Sequence, residues 1–119
     1  MNIIAVAKDT EVIKEVATAV KQRSKDGKIR SFNDPMRAIQ FGAENKVDVA
    51  VIGTKQKNMS CLVFAEMLLQ KYPDVALVFC TKSNDEWNFI TRSINSKYLY
   101  NPFTWNKYKK TGLMGCVAL

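Results

Sequence analysis

Three lysines follow apolar runs of the sequence and are its best candidates for binding chemistry. Lys8, Lys55 and Lys82 each come at or just after the end of such a run, and Thr81 directly precedes Lys82. An ammonium group carries a compact positive charge and three N–H donors, which a threonine hydroxyl or the Asn101 amide can supplement. Together these groups would bind an inorganic anion, a nucleotide phosphate or an acidic side chain of a partner. The alternative is that the lysines are solvated surface charges.

Several residue types needed by common active sites are missing. The sequence has no histidine, which excludes histidine acid–base catalysis, the common zinc sites and a phosphohistidine carrier. It also has no glycine-rich phosphate loop and no clustered carboxylates. We therefore expect no catalytic residues and no enzymatic activity.

Composition predicts a single globular domain with a positive surface. The chain has 119 residues, of which 47% are hydrophobic and 24% charged, and no apolar run approaches the roughly 18 residues of a membrane helix. Its three cysteines, Cys61, Cys80 and Cys116, are an odd number without metal-type spacing, so we expect a reduced, cytoplasmic protein. The net charge of +7 favours an anionic partner.

The elements that must position these side chains are alternating strands and helices. Apolar runs predict strands at Asn2–Ala7, Lys28–Ser31, Val47–Gly53, Val75–Thr81 and Tyr98–Tyr100. Helical spacing predicts core-facing stripes of Val12, Val16, Ala19 and Val20, of Ile39 with Ala43, and of Leu62 with Ala65 and Leu69. The expected helix caps are Asp9 or Thr10, Asp34 before Pro35, and Ser60. This pattern predicts an α/β domain over residues 1–119, with Thr111–Leu119 as a loosely specified tail.

In an open parallel α/β sheet, ligands bind at the carboxyl ends of the strands. The segments expected there are Ala7-Lys8-Asp9, Gly53-Thr54-Lys55, Thr81-Lys82 and Asn101-Pro102. Asp48 is excluded from this edge, because it precedes the end of its strand by about 16 Å.

Several short strings resemble the receiver domains of bacterial response regulators, particularly those that precede LytTR-type DNA-binding domains. These strings are Ser31–Ile39, Asn45–Ile52, Val78–Thr81 and Tyr98–Phe103, and the likeness covers about residues 1–105. The resemblance implies a doubly wound, flavodoxin-like (βα)5 domain. Its five-stranded parallel sheet would have strand order 2-1-3-4-5, and its role would lie in two-component signal transduction.

The resemblance also implies a vestigial phosphorylation pocket. Active receivers bind Mg²⁺ through an acidic pair after the first strand and accept a phosphoryl group on an aspartate after the third. The matching positions hold Ala7 with Lys8 and then Gly53, while Asn101 replaces a lysine of the family. The pocket would consist of Ala7, Lys8, Asp9, Gly53, Lys55, Thr81, Lys82 and Asn101, and Thr81 with Tyr98 would match the family's switch pair.

The changes in this pocket predict a receiver that cannot be phosphorylated on aspartate. Gly53 offers no oxygen nucleophile, and Asp9 by itself cannot hold a hard divalent cation. We therefore expect Mg²⁺ binding to be lost and no cofactor to be needed. In this setting Lys8 would replace the charge of the metal ion.

Two hypotheses about function follow, and neither involves association with a membrane. The first is a phosphorylation-independent module that binds a protein partner, or a second copy of itself, through its fourth helix, fifth strand and fifth helix. The second is an anion- or nucleotide-sensing domain that uses Lys8, Lys55, Lys82 and Thr81. Nucleic-acid binding by charge alone ranks below both, because no segment is typical of a recognition helix.

Overall fold

A computed structural model describes residues 1–22, 26–81, 102–103 and 115–118, with the backbone alone described from Thr81 onwards. The strands are β1 (Asn2–Val6), β2 (Lys28–Phe32), β3 (Val49–Gly53), β4 (Ala76–Thr81), β5 (Pro102–Phe103) and β6 (Gly115–Ala118). The helices are α1 (Lys14–Gln22), which follows a 3₁₀ turn at Thr10–Ile13, α2 (Pro35–Glu44) and α3 (Cys61–Lys71). The first four predicted strands are confirmed, each within two residues of its expected bounds.

The described strands form one sheet in the order β2-β1-β3-β4-β6-β5. Strands β2, β1, β3 and β4 are mutually parallel, which confirms the predicted α/β class and the 2-1-3-4 part of the strand order. Every residue of β3 is buried, as expected for a central strand covered on both faces. At the outer edge, β2 carries the charged residues Lys28 and Arg30, which discourage pairing with another chain.

The neighbour of β4 differs from the expected parallel strand. The predicted strand Tyr98–Tyr100 lies outside the described residues, and β6 pairs antiparallel with β4 instead. Strand β6 belongs to the segment expected to be a loosely specified tail. Its residues are small or apolar, and their N–H and C=O groups pair with an edge of β4 that would otherwise lack hydrogen-bond partners. Strand β5 then adds to the far side of β6.

Hydrophobic clusters cover both faces of the sheet, because successive strand residues point to opposite sides. On one face, Ile4, Val6 and their neighbours in β3 and β4 pack with Phe64 and Leu68 of α3. On the other face, residues such as Ala5 pack with Val16 of α1 and its neighbours. The carboxyl ends of the strands are thereby held between two packed layers.

Side-chain oxygens start the helices as predicted. Asp34 caps α2 by accepting a hydrogen bond from the Met36 N–H at 2.9 Å, and Ser60 caps α3 by accepting one from the Val63 N–H at 3.1 Å. Of the two candidates before the first helical segment, Asp9 is the cap.

One expectation about packing is wrong in part. In α2 the buried residues are Pro35, Ala38 and Gly42, and the partly buried Ile39 packs against the core as predicted. Ala43 is exposed, because the phase of the helix turns it away from the sheet.

Candidate functional site

A cavity of about 420 Å³ lies at the carboxyl ends of the central strands. Its lining residues follow β1 and β3, come from the 3₁₀ turn, or belong to the end of β4: Ala7, Lys8, Asp9, Val12, Ile13, Gly53, Thr54, Lys55 and Cys80. The inner wall is apolar, since Ala7, Ile13 and Cys80 are buried, while Lys8, Asp9 and Lys55 are exposed. The cavity therefore combines an apolar wall with a charged mouth.

Backbone hydrogen bonds bring the two lysine-bearing segments together. The Ala7 N–H donates to the Phe32 carbonyl at 3.2 Å, which extends the pairing of β1 with β2 by one residue. The Lys8 N–H then donates to the Lys55 carbonyl at 2.9 Å. This bond joins the loops that follow β1 and β3, so both lysines are anchored at the same mouth.

Gln56 fixes the same region from its side chain. Its amide Nε2 donates to the Val6 carbonyl at 2.7 Å and to the Gly53 carbonyl at 2.8 Å, joining the last residues of β1 and β3. The other amide atom, Oε1, is buried and has no hydrogen-bond partner within the part of the chain that the structure describes. Gln56 is thus the polar side chain that holds the two central strand ends at a fixed spacing.

Gly53 lies against Ala7 with no space for a side chain between them. A Cβ placed on Gly53 would come within 2.7 Å of the Ala7 Cβ, closer than real Cβ atoms approach one another, and within 3.6 Å of the Ile13 Cγ2. The two residues at the positions matched to a phosphoacceptor and to an acidic pair therefore pack directly on each other. A larger residue at position 53 requires the β1 end to move.

Two lysines and one aspartate lie at the mouth of the cavity, and the aspartate also caps a helical segment. Asp9 uses its carboxylate as a helix cap, its Oδ1 accepting from the Glu11 N–H at 3.1 Å. Among the residues described, no carboxylate lies within ion-pair distance of Lys8 or Lys55. The same described residues contain no group of three acidic, histidine or cysteine side chains that could hold a metal ion.

The structure brings five of the predicted pocket residues around one cavity: Ala7, Lys8, Asp9, Gly53 and Lys55. Thr81 is the last residue of β4 and follows Cys80, which lines the cavity. Lys82, Tyr98 and Asn101 lie outside the described residues.

Sequence reasoning missed Gln56 and the apolar wall. The signal for Gln56 was weak, because a glutamine three residues after a strand is common in loops. The sequence predicts Val12 only as part of a core-facing helical stripe, and it assigns neither Ile13 nor Cys80 to the site. Their shared position follows from the way the 3₁₀ turn folds over the ends of β1 and β3.

Asp48 and Cys61 lie away from the cavity. The Asp48 carboxylate accepts from the Asn2 N–H at 2.7 Å, at the amino ends of β1 and β3, so the exclusion of Asp48 from the site is confirmed. Cys61 is buried in the core between the sheet and α3.

Comparison with solved structures identifies the fold. The signal receiver domain of an HD-domain protein from Pseudomonas fluorescens Pf-5 matches with a TM-score of 0.64 at 18% identity, over 79% of this chain and 67% of that one. The MaeR response regulator bound to beryllium trifluoride matches with a TM-score of 0.59 at 20% identity, over 93% of both chains. An aspartate-to-alanine mutant of MaeR bound to sulfate matches with a TM-score of 0.60 at 20% identity, over 92% of both chains.

The chain therefore has a receiver-domain fold. It spans about half of some longer matches: 53% of a protein from Neptuniibacter caesariensis, and 44% of the RcsB response regulator of Salmonella typhimurium. No protein-family model and no curated protein matches it by sequence. In the part of the chain that the structure describes, none of the helices has the length and apolar character needed to cross a membrane.

Proposed function

We propose that this receiver-fold chain is a non-enzymatic signalling domain that works without aspartyl phosphorylation, by contact with a protein partner or a second copy of itself. The observation that carries the proposal is the packing of Gly53 on Ala7, where a Cβ on Gly53 would lie 2.7 Å from the Ala7 Cβ. The position matched to the acceptor aspartate therefore offers no nucleophile, and a side chain there would strike Ala7. Loss of Mg²⁺ binding and a cytoplasmic location belong to the same proposal.

The proposed binding face is the one formed by the fourth helix, fifth strand and fifth helix, which lies in the carboxy-terminal part of the chain. Much of this part lies outside the described residues. Between Trp87 and Leu119 the sequence carries five basic residues and no acidic one. A partner with an acidic surface would fit this charge.

The first experiment is amide NMR of the labelled protein with Mg²⁺ and beryllium trifluoride, which mimics an aspartyl phosphate. We expect no chemical-shift changes beyond those caused by Mg²⁺ alone. Sedimentation in the presence and absence of Mg²⁺ and acetyl phosphate should give one unchanged association state. Shifts specific to the mimic, centred on the cavity, would show that the pocket is still active and would refute the proposal.

A second function is favoured by the cavity itself. Lys8 and Lys55 lie at the mouth of a cavity of about 420 Å³, and within the described residues no carboxylate lies within ion-pair distance of either lysine. That arrangement supports a sensor for a small anion or a nucleotide phosphate. The mutant of MaeR that lacks an aspartate and is bound to sulfate shows an anion on a receiver fold whose aspartate has been removed.

Phosphate titration separates this second function from the first. NMR shifts of the Lys8 and Lys55 amides should saturate with inorganic phosphate, sulfate or a nucleoside phosphate. Lys8→Ala and Lys55→Ala should each weaken that binding several-fold, since each removes one of two ammonium groups. Lys57→Ala is the matched control, because Lys57 is exposed in the same loop but does not line the cavity. Equal affinity in all three variants would exclude the anion site.

A further inference from the structure

Cys80 and Cys116 occupy opposite positions in the pairing of β4 with β6. The register of this antiparallel pair sets Phe79 opposite Val117 and Cys80 opposite Cys116. The two cysteines are separated by 35 residues in the sequence, and no local spacing pattern connects them. Their proximity arises only from the way β6 is added to the sheet.

This register matches the backbone geometry of a disulfide. Directly opposed residues in antiparallel strands have Cα atoms about 4.5 or 5.5 Å apart, depending on whether the pair is hydrogen-bonded. Disulfides span Cα separations of roughly 4.4 to 6.8 Å. The backbone separation expected at these positions therefore lies within the range that a disulfide spans.

The cavity gives an oxidant access to Cys80. Cys80 is 1% exposed, yet it contributes to the cavity lining at the carboxyl ends of the strands. A molecule the size of hydrogen peroxide fits easily into about 420 Å³. Cys61 is equally buried, at 4% exposure, but it lies in the core on the other face of the sheet and does not line this cavity.

We propose that Cys80 and Cys116 are a thiol pair that a hydroperoxide oxidises to a reversible disulfide, which fastens β6 to β4. Hydrogen peroxide transfers one oxygen atom to the Cys80 sulfur, which forms a sulfenic acid, and the other oxygen atom leaves as water. The Cys116 sulfur then attacks the Cys80 sulfur, and the hydroxyl group leaves as a second water with the thiol proton. A dithiol reductant restores both thiols. This site does not depend on the proposed signalling function.

Oxidation would have two structural consequences. It would fix β6 covalently on the edge of β4, and it would change the wall of the cavity at Cys80. Closing the loop between these cysteines also restricts the unfolded chain, which predicts a Tm increase of roughly 10 °C for the oxidised protein.

The test treats the full-length reduced chain with hydrogen peroxide under native conditions, followed by intact mass and peptide mapping. We expect a monomer that has lost two hydrogen atoms, with the peptides containing Cys80 and Cys116 joined, and the Tm increase reversed by a dithiol. The Cys61→Ala variant should form the same disulfide between Cys80 and Cys116. Cys80→Ala and Cys116→Ala should not form it, and their Tm should not rise with oxidation.

If a variant fails to fold, peptide mapping of the oxidised wild-type chain is sufficient to test the proposed disulfide. A bond to Cys61, a bond between two chains, or three intact thiols after native oxidation would each overturn the proposal. Oxidation in urea is the reference, because an unfolded chain should give a mixture of linkages rather than one.

Discussion

At Gly53 the sheet has no room for a side chain. The missing Cβ would lie 2.7 Å from the Cβ of Ala7, and neither atom belongs to a flexible side chain that could turn away. Any side chain at position 53 would therefore strike the end of β1.

Gly53→Ala should lower the free energy of unfolding by about 1–3 kcal/mol, because the added methyl group overpacks the contact with Ala7. Chemical denaturation measures this change. Gly42→Ala is the control of opposite sign: its Cβ would meet the Tyr72 ring at an ordinary 3.4 Å, and alanine favours a helix interior over glycine by up to about 1 kcal/mol.

A double variant tests the stated cause. Ala7→Gly combined with Gly53→Ala removes the atom that the new Cβ would strike, so the pair should be more stable than the sum of the single effects predicts. Additive losses would mean that Ala7 is not the obstacle.

Gln56 joins the ends of β1 and β3 by its side chain, and its removal should be costly. Gln56→Ala leaves the carbonyls of Val6 and Gly53 without this donor, so we expect a loss of about 1–3 kcal/mol in unfolding free energy. Thermal or urea unfolding measures it. Gln40→Ala, at an exposed position of α2, should change stability by less than about 0.5 kcal/mol. Equal effects of the two changes would contradict the role assigned to Gln56.

At the scale of elements, α2 and α3 each begin at a short polar cap. Asp34 satisfies the Met36 N–H and is followed by Pro35, which has a suitable φ and no N–H to satisfy at the first helical position. Ser60 caps α3 by accepting a hydrogen bond from the Val63 N–H, directly after the loop that carries Lys55 and Gln56. The left-handed backbone of Asn58, with φ of 66°, completes this loop in a conformation that asparagine tolerates better than most residues.

Asp34→Ala should destabilise the protein by about 1 kcal/mol, because the N–H of Met36 loses its acceptor. Asp34→Asn retains an oxygen at the same place and should recover most of the loss. Both values come from urea denaturation. If Asp34→Asn were as unstable as Asp34→Ala, the capping bond would not be the source of the effect.

The whole molecule carries a net charge of +7, which acts at long range on any polyanion. This charge does not require a specific nucleic-acid surface. The proposed partner is a protein, and binding to DNA should reflect charge alone.

DNA binding should therefore be weak, indifferent to sequence and strongly salt-dependent. If about six phosphates are contacted, affinity should fall roughly 1000-fold between 50 and 200 mM salt. Fluorescence anisotropy with two unrelated duplexes measures both properties. Sequence preference that persists at the higher salt would instead indicate a specific DNA-binding surface.

Much of this architecture was predictable from sequence because the signals are local. Apolar runs identified β1 to β4, polar residues at helix starts identified the caps, and the order of elements placed Lys8 and Lys55 at one edge of the sheet. Each of these inferences uses only neighbours along the chain and the rule that parallel strands end at the same edge.

The tertiary structure decided what depends on distances between remote segments. The packing of helices and strands sets, to within an ångström, the close approach of Gly53 to Ala7 and the two hydrogen bonds of Gln56. It also decides, to within one helical step, that Gly42 is buried and Ala43 is exposed. The pairing of β6 with β4 sets Cys116 opposite Cys80. A sequence pattern cannot reveal such pairings, because strand partners are chosen by the available edges of the folded sheet.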